Sequence, residues 1–315
     1  MVEIKKVEVK EQHHRSVSDA IHWAVGQFES SPVYFGHGTD NAVDESVWLV
    51  LFVLEESFDV AAEFYLKSIS EEAWAQVQTL VQQRIKSRKP IAYLIQQAWF
   101  CGLSFYVDER VLVPRSPLAE LIQAQFAPWV RPDQVFSVLD LCCGGGCIGI
   151  ASAIAFADAK VVLADISADA LAVAKINVDR HQLQHRVATV ASDLFAEMPD
   201  QVFDIIVSNP PYVDAEDLAS VPAEYKHEPE LGLSAGHDGL DVALLILQQA
   251  PRYMSESGLL FVEVGNSQEA LMELLPTLSL TWLDFQQGGH GVFCIRRKEL
   301  LDGQETIAAV LAARE

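Results

Sequence analysis

From Val135 onward the chain alternates short apolar, β-branched runs with stretches of helical periodicity, and few architectures accept that pattern. The runs "SVLDL", "KVVLADIS", "RVATVASDLF", "FDIIVSNPPY", "GLLFVEVG" and "GVFCIRR" read as strands, and "ADALAVAKINVDRHQ" and "GLDVALLILQQAPRYM" between them read as helices. A strand that is apolar throughout must be covered on both faces, and helical crossovers supply the cover. The expected fold is therefore α/β, a mostly parallel sheet with helices on both faces. Ligands of such sheets lie beyond the carboxyl ends of the strands, at the point where strand order reverses. Candidate functional residues are thus sought at strand ends.

The first strand runs into Asp140-Leu141-Cys142-Cys143-Gly144-Gly145-Gly146-Cys147-Ile148-Gly149, which opens a helix and contains Gly-x-Gly-x-x-Gly through Gly144, Gly146 and Gly149. Glycines there let the backbone turn sharply and approach a ligand closely. Asp165, at the end of the next strand, is placed to accept hydrogen bonds from ribose hydroxyls. Asp193, after the third, is placed to reach the exocyclic amine of an adenine. A nicotinamide dinucleotide would satisfy the glycines, but Asp140 beside the loop would oppose its pyrophosphate. S-adenosylmethionine, which carries a sulfonium and an ammonium and no phosphate, is the better match to an acidic rim. Each Asp taken alone is also an ordinary turn residue.

The fourth strand ends in Asn209-Pro210-Pro211-Tyr212. An amide nitrogen is a poor nucleophile because its lone pair is delocalised, so a catalyst must orient it. The Asn209 side-chain oxygen can accept one N–H and the Pro210 carbonyl the other. Consecutive prolines have a restricted φ and hold that carbonyl in one direction. Tyr212 offers an aromatic face to a planar amide. In isolation Asn-Pro-Pro would be read as a turn; its position in this sheet is what argues for a planar-nitrogen acceptor. The candidate catalytic residues are Asn209, Pro210 and Tyr212, and the candidate substrate contacts are Asn209, Pro210, Pro211 and Tyr212. The candidate cofactor contacts are Asp140, Cys142, Gly144, Gly146, Asp165, Ile166, Asp193, Leu194 and Asn209.

Upstream, "SVSDAIHWAVGQF", "AVDESVWLVLFVL" and "SEEAWAQVQTLVQQRIKSRK" have helical periodicity, so residues 1–89 read as a small helical domain. Glu71 and Glu72 open the last of these helices, and Arg84, Lys86, Arg88 and Lys89 close it, which complements the helix dipole without a ligand. His37, in the glycine-containing loop "YFGHGTDNA", is assigned no chemistry. Residues 90–114 read as a connector with a hairpin at Gly102. Ser116 and Pro117 suit the N-cap and N1 positions of a helix running to about Phe126 and opening a domain over 115–315. The cysteines, 5 in number, and the 9 histidines form neither a disulfide framework nor a zinc pattern, so no metal is expected. No signal-like apolar core opens the chain, and Val47 to Leu54 is too short to span a bilayer. A soluble, cytoplasmic protein is the expectation. The formal charge of -22 disfavours a nucleic-acid backbone and suits a basic protein partner.

Taken together, "DLCCGGGCIG", Asp165, Asp193 and "NPPY" resemble the class I S-adenosylmethionine methyltransferases that act on planar nitrogens. The segments "RKPIAYLIQQAWFCGLSFYVDERVLVPRSPLAEL", "HEPELGLSAGHDGL" and "EVGNSQ" narrow the resemblance to the HemK-like protein-glutamine methyltransferases, over nearly the whole chain. That resemblance implies a Rossmann-like sheet of seven strands, a helical N-terminal domain that helps receive the substrate protein, and glutamine as the acceptor. It also implies Asp140 near the methionine moiety, Asp165 on the ribose, Asp193 near adenine, and Asn209 at both cofactor and substrate. Arg115-Ser116-Pro117, "YFGHGTDNAVDE" and "EYKHEPELGL" resemble the branch acting on large-subunit ribosomal protein L-three, as against the branch acting on peptide chain release factors. Cys142, Cys143 and Cys147 depart from the commonest loop pattern. Arg115 and Glu263 match recurrent segments of the family but are equally well read as structural, and Tyr225 to Glu228 are candidates to touch the substrate. The competing readings are a DNA adenine methyltransferase, an oxidoreductase, and an assembly factor that retains only binding. Oligomeric state is left open.

Overall fold

The computed structural model describes residues 15–314, and the chain divides into two compact units, Met1–Ile95 and Gln96–Glu315.

The first unit is helical. α1 (Val17–Glu29) starts where the Ser16 hydroxyl accepts the Asp19 N–H and the Asp19 carboxylate accepts the Ser16 N–H, a reciprocal cap. α2 (Ala42–Val53) is capped by Asn41, buries Trp48, Leu49, Val50 and Leu51, and contains most of the apolar run seen in the sequence. α3 (Glu71–Ser87) and α4 (Ile91–Ile95) complete it. Arg84 does not belong to a solvated basic cluster. It is fully buried, its Nε 2.7 Å from Glu45 Oε1 and an Nη donating to the Tyr34 carbonyl at 2.8 Å. A buried guanidinium persists only where such partners replace water.

The second unit opens with a hairpin, β1 (Ala98–Phe100) and β2 (Leu103–Phe105), turned by Cys101 and Gly102 at φ 51° and 74°. Positive φ at both turn residues matches the right-handed twist of the paired strands. α5 (Leu118–Gln123) follows and stops short of Phe126, because Gln125 and Phe126 adopt φ 51° and 55° and cannot continue a right-handed helix.

The remaining elements are β3 (Ser137–Leu141), α6 (Cys147–Ala155), β4 (Lys160–Asp165), α7 (Ala168–Arg180), β5 (Val187–Ala191), β6 (Phe203–Ser208), α8 (Ala215–Ser220), α9 (Asp241–Gln249), β7 (Met254–Glu263), α10 (Gln268–Leu274), β8 (Thr281–Leu283), β9 (Val292–Arg296), α11 (Arg297–Asp302) and α12 (Gln304–Ala312). They build a 7-stranded sheet in the order β5-β4-β3-β6-β7-β9-β8, parallel from β5 to β7, with β9 antiparallel to both neighbours. This is the class I methyltransferase arrangement. Alternate residues of each strand enter opposite cores: Val138, Ile205 and Val207 pack on one side, and Leu139, Leu141, Ile206 and Leu260 on the other. Burial of both faces explains the uninterrupted apolar strands. The alternation pattern did not locate β8, a three-residue edge strand of which only Leu283 is buried. Strand order reverses at β3, so the carboxyl ends of β3 and β6 flank the switch point where a ligand fits.

Candidate active site

A cavity of about 580 Å³ opens at those carboxyl ends, with a predominantly apolar wall. On the side of β3, β4 and β5 it is lined by Cys142, Gly144, Asp165, Ile166, Asp193 and Leu194, and on the β6 side by Asn209, Pro210, Pro211 and Tyr212. The topology thereby gathers most of the sequence-derived candidates around one space. Cys142 and Leu194 hold φ 60° and 50°, unusual for residues with side chains and characteristic of turns that re-aim the backbone at a site.

Two candidates lie elsewhere. Asp140 does not form an acidic rim: it is fully buried beneath the loop and absent from the cavity wall. Its Oδ2 accepts the Gly149 N–H at 2.7 Å, while Oδ1 has no hydrogen-bond partner among the described residues. Burial pushes its carboxyl up to about 8 against the pull of that N–H. Asp140 points down because it sits within β3, whose side chains alternate between the faces, rather than at its end. Gly146 is also off the wall. It caps α6 at φ 79°, and a Cβ there would come 2.9 Å from Leu163. At Gly149 an added Cβ would come 2.2 Å from Leu163 and 2.9 Å from Asp140. These glycines serve packing of the loop on the sheet. Gly144 is different, with no atom within 4 Å of an added Cβ.

The electrostatics favour a cationic ligand. Asp165 accepts the Gly144 and Ser167 N–H groups, each at 2.8 Å, yet each carboxylate oxygen keeps a further lone pair for a hydroxyl. The Gly144 N–H is thus committed to a carboxylate and is not offered to a phosphate. The Asp193 carboxylate takes no hydrogen bond among the described residues, although its own N–H donates to Glu197 at 2.9 Å. The arginines on the wall are already neutralised. Arg110 is 2.6 Å from Asp108, and Arg115 grips both oxygens of Glu228 at 2.6 and 2.7 Å. A dinucleotide pyrophosphate would find carboxylates here and no uncommitted guanidinium among the described residues.

On the acceptor side, neither the Asn209 carboxamide nor the Pro210 carbonyl takes a hydrogen bond among the described residues, so both are available to a ligand. Tyr212 is committed instead. Its hydroxyl donates to Glu263 Oε1 at 2.9 Å, and its carbonyl accepts the Ser267 hydroxyl at 3.2 Å. Glu263, buried at the end of β7, also accepts the Ser116 hydroxyl. Burial and the adjacent Glu263 raise the Tyr212 phenol well above its ordinary value, so it is neither a base nor a free donor. What it presents to the cavity is its ring. Gly265 seats that ring, where an added Cβ would lie 2.5 Å from Tyr212 Cε2, and Gly239 admits the Tyr212 backbone, an added Cβ there lying 2.2 Å from the carbonyl oxygen.

Residues 126–223 match the family model described as methyltransferase small domain. The chain is 48% identical over 287 residues to the ribosomal protein uL3 glutamine methyltransferase of Francisella tularensis subsp. tularensis, covering 91% of each chain. It is 42% identical over 294 residues to the protein of the same name from Burkholderia pseudomallei, covering 91% of this chain and 96% of that one. The chain belongs to the ribosomal protein uL3 glutamine methyltransferase family.

In this family member Arg115 and Glu263 each take a structural partner. Arg115 ties the connector to Glu228 and lies over the Tyr225 ring at 5.3 Å, whereas Glu263 orients Tyr212. Of the segment Tyr225 to Glu228, Tyr225 reaches the cavity and Glu228 is buried against the connector, where it also accepts the Val113 N–H at 3.0 Å. Asn266 and His290, which the sequence reading passed over, stand on the cavity wall. A polar side chain amid the glycines of Gly288-Gly289-His290-Gly291 was the available signal.

Proposed function

We propose that this methyltransferase transfers a methyl group from S-adenosylmethionine to the side-chain amide nitrogen of a glutamine in uL3, the large-subunit protein L-three. The observation that carries the reading is the juxtaposition of Asn209 and the Pro210 carbonyl, both uncommitted, with strand-end carboxylates on one cavity. S-adenosylmethionine supplies an electrophilic methyl on a sulfonium. Asp165 would hold its ribose hydroxyls and Asp193 its adenine amine, beside Cys142, Gly144, Ile166 and Leu194. Asp140 acts from beneath as a positioning residue, fixing the Gly149 end of the loop.

Asn209 Oδ1 and the Pro210 carbonyl each accept one hydrogen of the glutamine amide and turn its nitrogen toward the methyl group. Orientation of this kind replaces a strong base, and Asn209 need not ionise. Tyr212, held by Glu263, covers the amide plane and excludes water. Residues 1–89 serve as the substrate-recognition region and 115–315 as the catalytic region; of the connector, 90–114, the α4 residues up to Ile95 pack with the helical unit. The formal charge of -22 favours encounter with a basic ribosomal protein. No helix among the described residues is long and apolar enough to cross a membrane, and the reaction on a ribosomal protein belongs in the cytoplasm.

Incubation with labelled methyl donor and either uL3 or a release factor, followed by mass spectrometry, tests the assignment. Labelling of a uL3 glutamine is expected, and labelling of the release factor alone would overturn the acceptor. Asn209→Ala should lower turnover by on the order of 100-fold with little change in cofactor affinity. Near-normal turnover would remove Asn209 from the mechanism.

A further inference from the structure

The segment between β8 and β9 has a backbone that only glycine permits. Gly288, Gly289 and Gly291 adopt φ 88°, 94° and 71°. A Cβ on Gly289 would come 2.7 Å from Pro117, and one on Gly291 2.2 Å from the Gly265 carbonyl oxygen. The Gly291 carbonyl also accepts the Val264 N–H at 2.7 Å. The loop is thus laid against the end of β7, next to the seat of Tyr212, and His290 is the one side chain the glycine run presents. It is exposed and on the wall of the cavity that holds Asn209 and Tyr212.

The ring is held in one tautomer by a short relay. The Asn266 side-chain nitrogen lies 3.3 Å from Asp217 Oδ2, and the Asn266 oxygen lies 3.1 Å from His290 Nε2. A carboxylate only accepts, so the NH₂ of Asn266 must face Asp217 and its oxygen must face His290. That oxygen in turn only accepts, so His290 Nε2 carries the proton. In the neutral ring Nδ1 is then left as an acceptor. Asn266 and Asp217 come from different elements, the turn after β7 and α8, so the relay ties His290 to two separate segments of the chain.

We propose that His290 is an acceptor-binding residue: its Nδ1 takes a hydrogen bond from an N–H of the polypeptide that delivers the glutamine, with Asn266 and Asp217 as positioning residues. The inference rests on the methyl-transfer reading above and adds to it a contact that the Asn-Pro-Pro-Tyr motif does not supply. It concerns recognition of the protein substrate and not of the methyl donor. No proton transfer by His290 is required.

The test uses the full chain and uL3, with initial rates at saturating S-adenosylmethionine and a separate measurement of its affinity. H290Q keeps an N–H donor toward Asn266, while its carbonyl oxygen sits on the same carbon as that nitrogen and away from the Nδ1 position, so it separates the proposed contact from a merely structural one. Both H290Q and H290A should lower kcat/KM for uL3 about fivefold or more, the worth of one neutral hydrogen bond, mainly through KM. N266A, which releases the ring, should give a smaller loss in the same parameter. Cofactor affinity should be unchanged in all three. Wild-type kcat/KM in H290Q would overturn the proposal, as would a loss of cofactor affinity matching the loss of activity, which would mark collapse of the loop. Absence of wild-type uL3 labelling would overturn the acceptor itself, and this contact with it.

Discussion

The pair Arg115–Glu228 offers an asymmetric test of how the cavity wall is held together. The Glu228 side chain is 0% exposed and that of Arg115 28% exposed, so the two ends of the bridge stand in different surroundings. Removing Arg115 leaves a carboxylate in the interior without its guanidinium, a loss of roughly 3–5 kcal/mol for a broken buried pair. The Val113 N–H continues to donate to Glu228 and moderates this, whereas the lost stacking over Tyr225 adds about 0.5–1 kcal/mol. Removing the charge on Glu228 leaves Arg115 partly in water, and one retained amide oxygen still accepts. That substitution should cost only about 1–3 kcal/mol. Arg115→Met is therefore expected to be clearly more destabilising than Glu228→Gln. The double variant should be less destabilised than the sum, because it buries no unpaired charge. Urea unfolding of the full chain, with coincident fluorescence and circular dichroism transitions, gives the free energies. Equal costs for the single variants, or strict additivity in the double, would refute the argument that burial of Glu228 makes this bridge indispensable.

Gly265→Ala should drive a methyl into the Tyr212 ring, 2.5 Å away, at a backbone φ of 46° that already disfavours a side chain. Turnover should fall more than cofactor affinity, as measured by single-turnover kinetics and calorimetry, and unaltered turnover would show that the ring's seat is immaterial. Asp140 provides a pH signature. Its folded-state carboxyl stands near 8 against an ordinary 3.8, so the folded protein binds the proton more tightly than the unfolded chain. Its contribution is then most favourable at low pH, declines as pH rises between those values, and levels off above about 8. Asp140→Asn keeps an oxygen for the Gly149 N–H and lacks the titration. The stability of the variant relative to wild type should thus increase from pH 5 to pH 8 in chemical denaturation without ligand, and a flat difference would contradict the assignment.

The legible part of the molecule was its local chemistry. Uninterrupted apolar strands, helical periodicity, the glycine loop and Asn209-Pro210-Pro211-Tyr212 at a strand end are each decided within a few residues, by alternation, by φ preferences and by the missing proline N–H. The same periodicity extended this reading to the helical first unit, and Gly102 between aromatic and β-branched residues marked the hairpin. Boundaries were less legible: α5 ends early because Gln125 and Phe126 turn left-handed, and β8 is too short and too exposed to leave a pattern.

What the sequence by itself determined was therefore the succession of strands along the chain and the residue types standing at their ends, since both follow from local preference. Only the tertiary structure decided which groups face the cavity and which are spent on one another. Asp140 turns beneath the loop because β3 alternates its faces. Arg115 finds Glu228, Tyr212 finds Glu263 and His290 finds Asn266 across long separations in the chain. Such pairings depend on how the packed sheet brings its strand ends and loops together, and no short-range pattern encodes that.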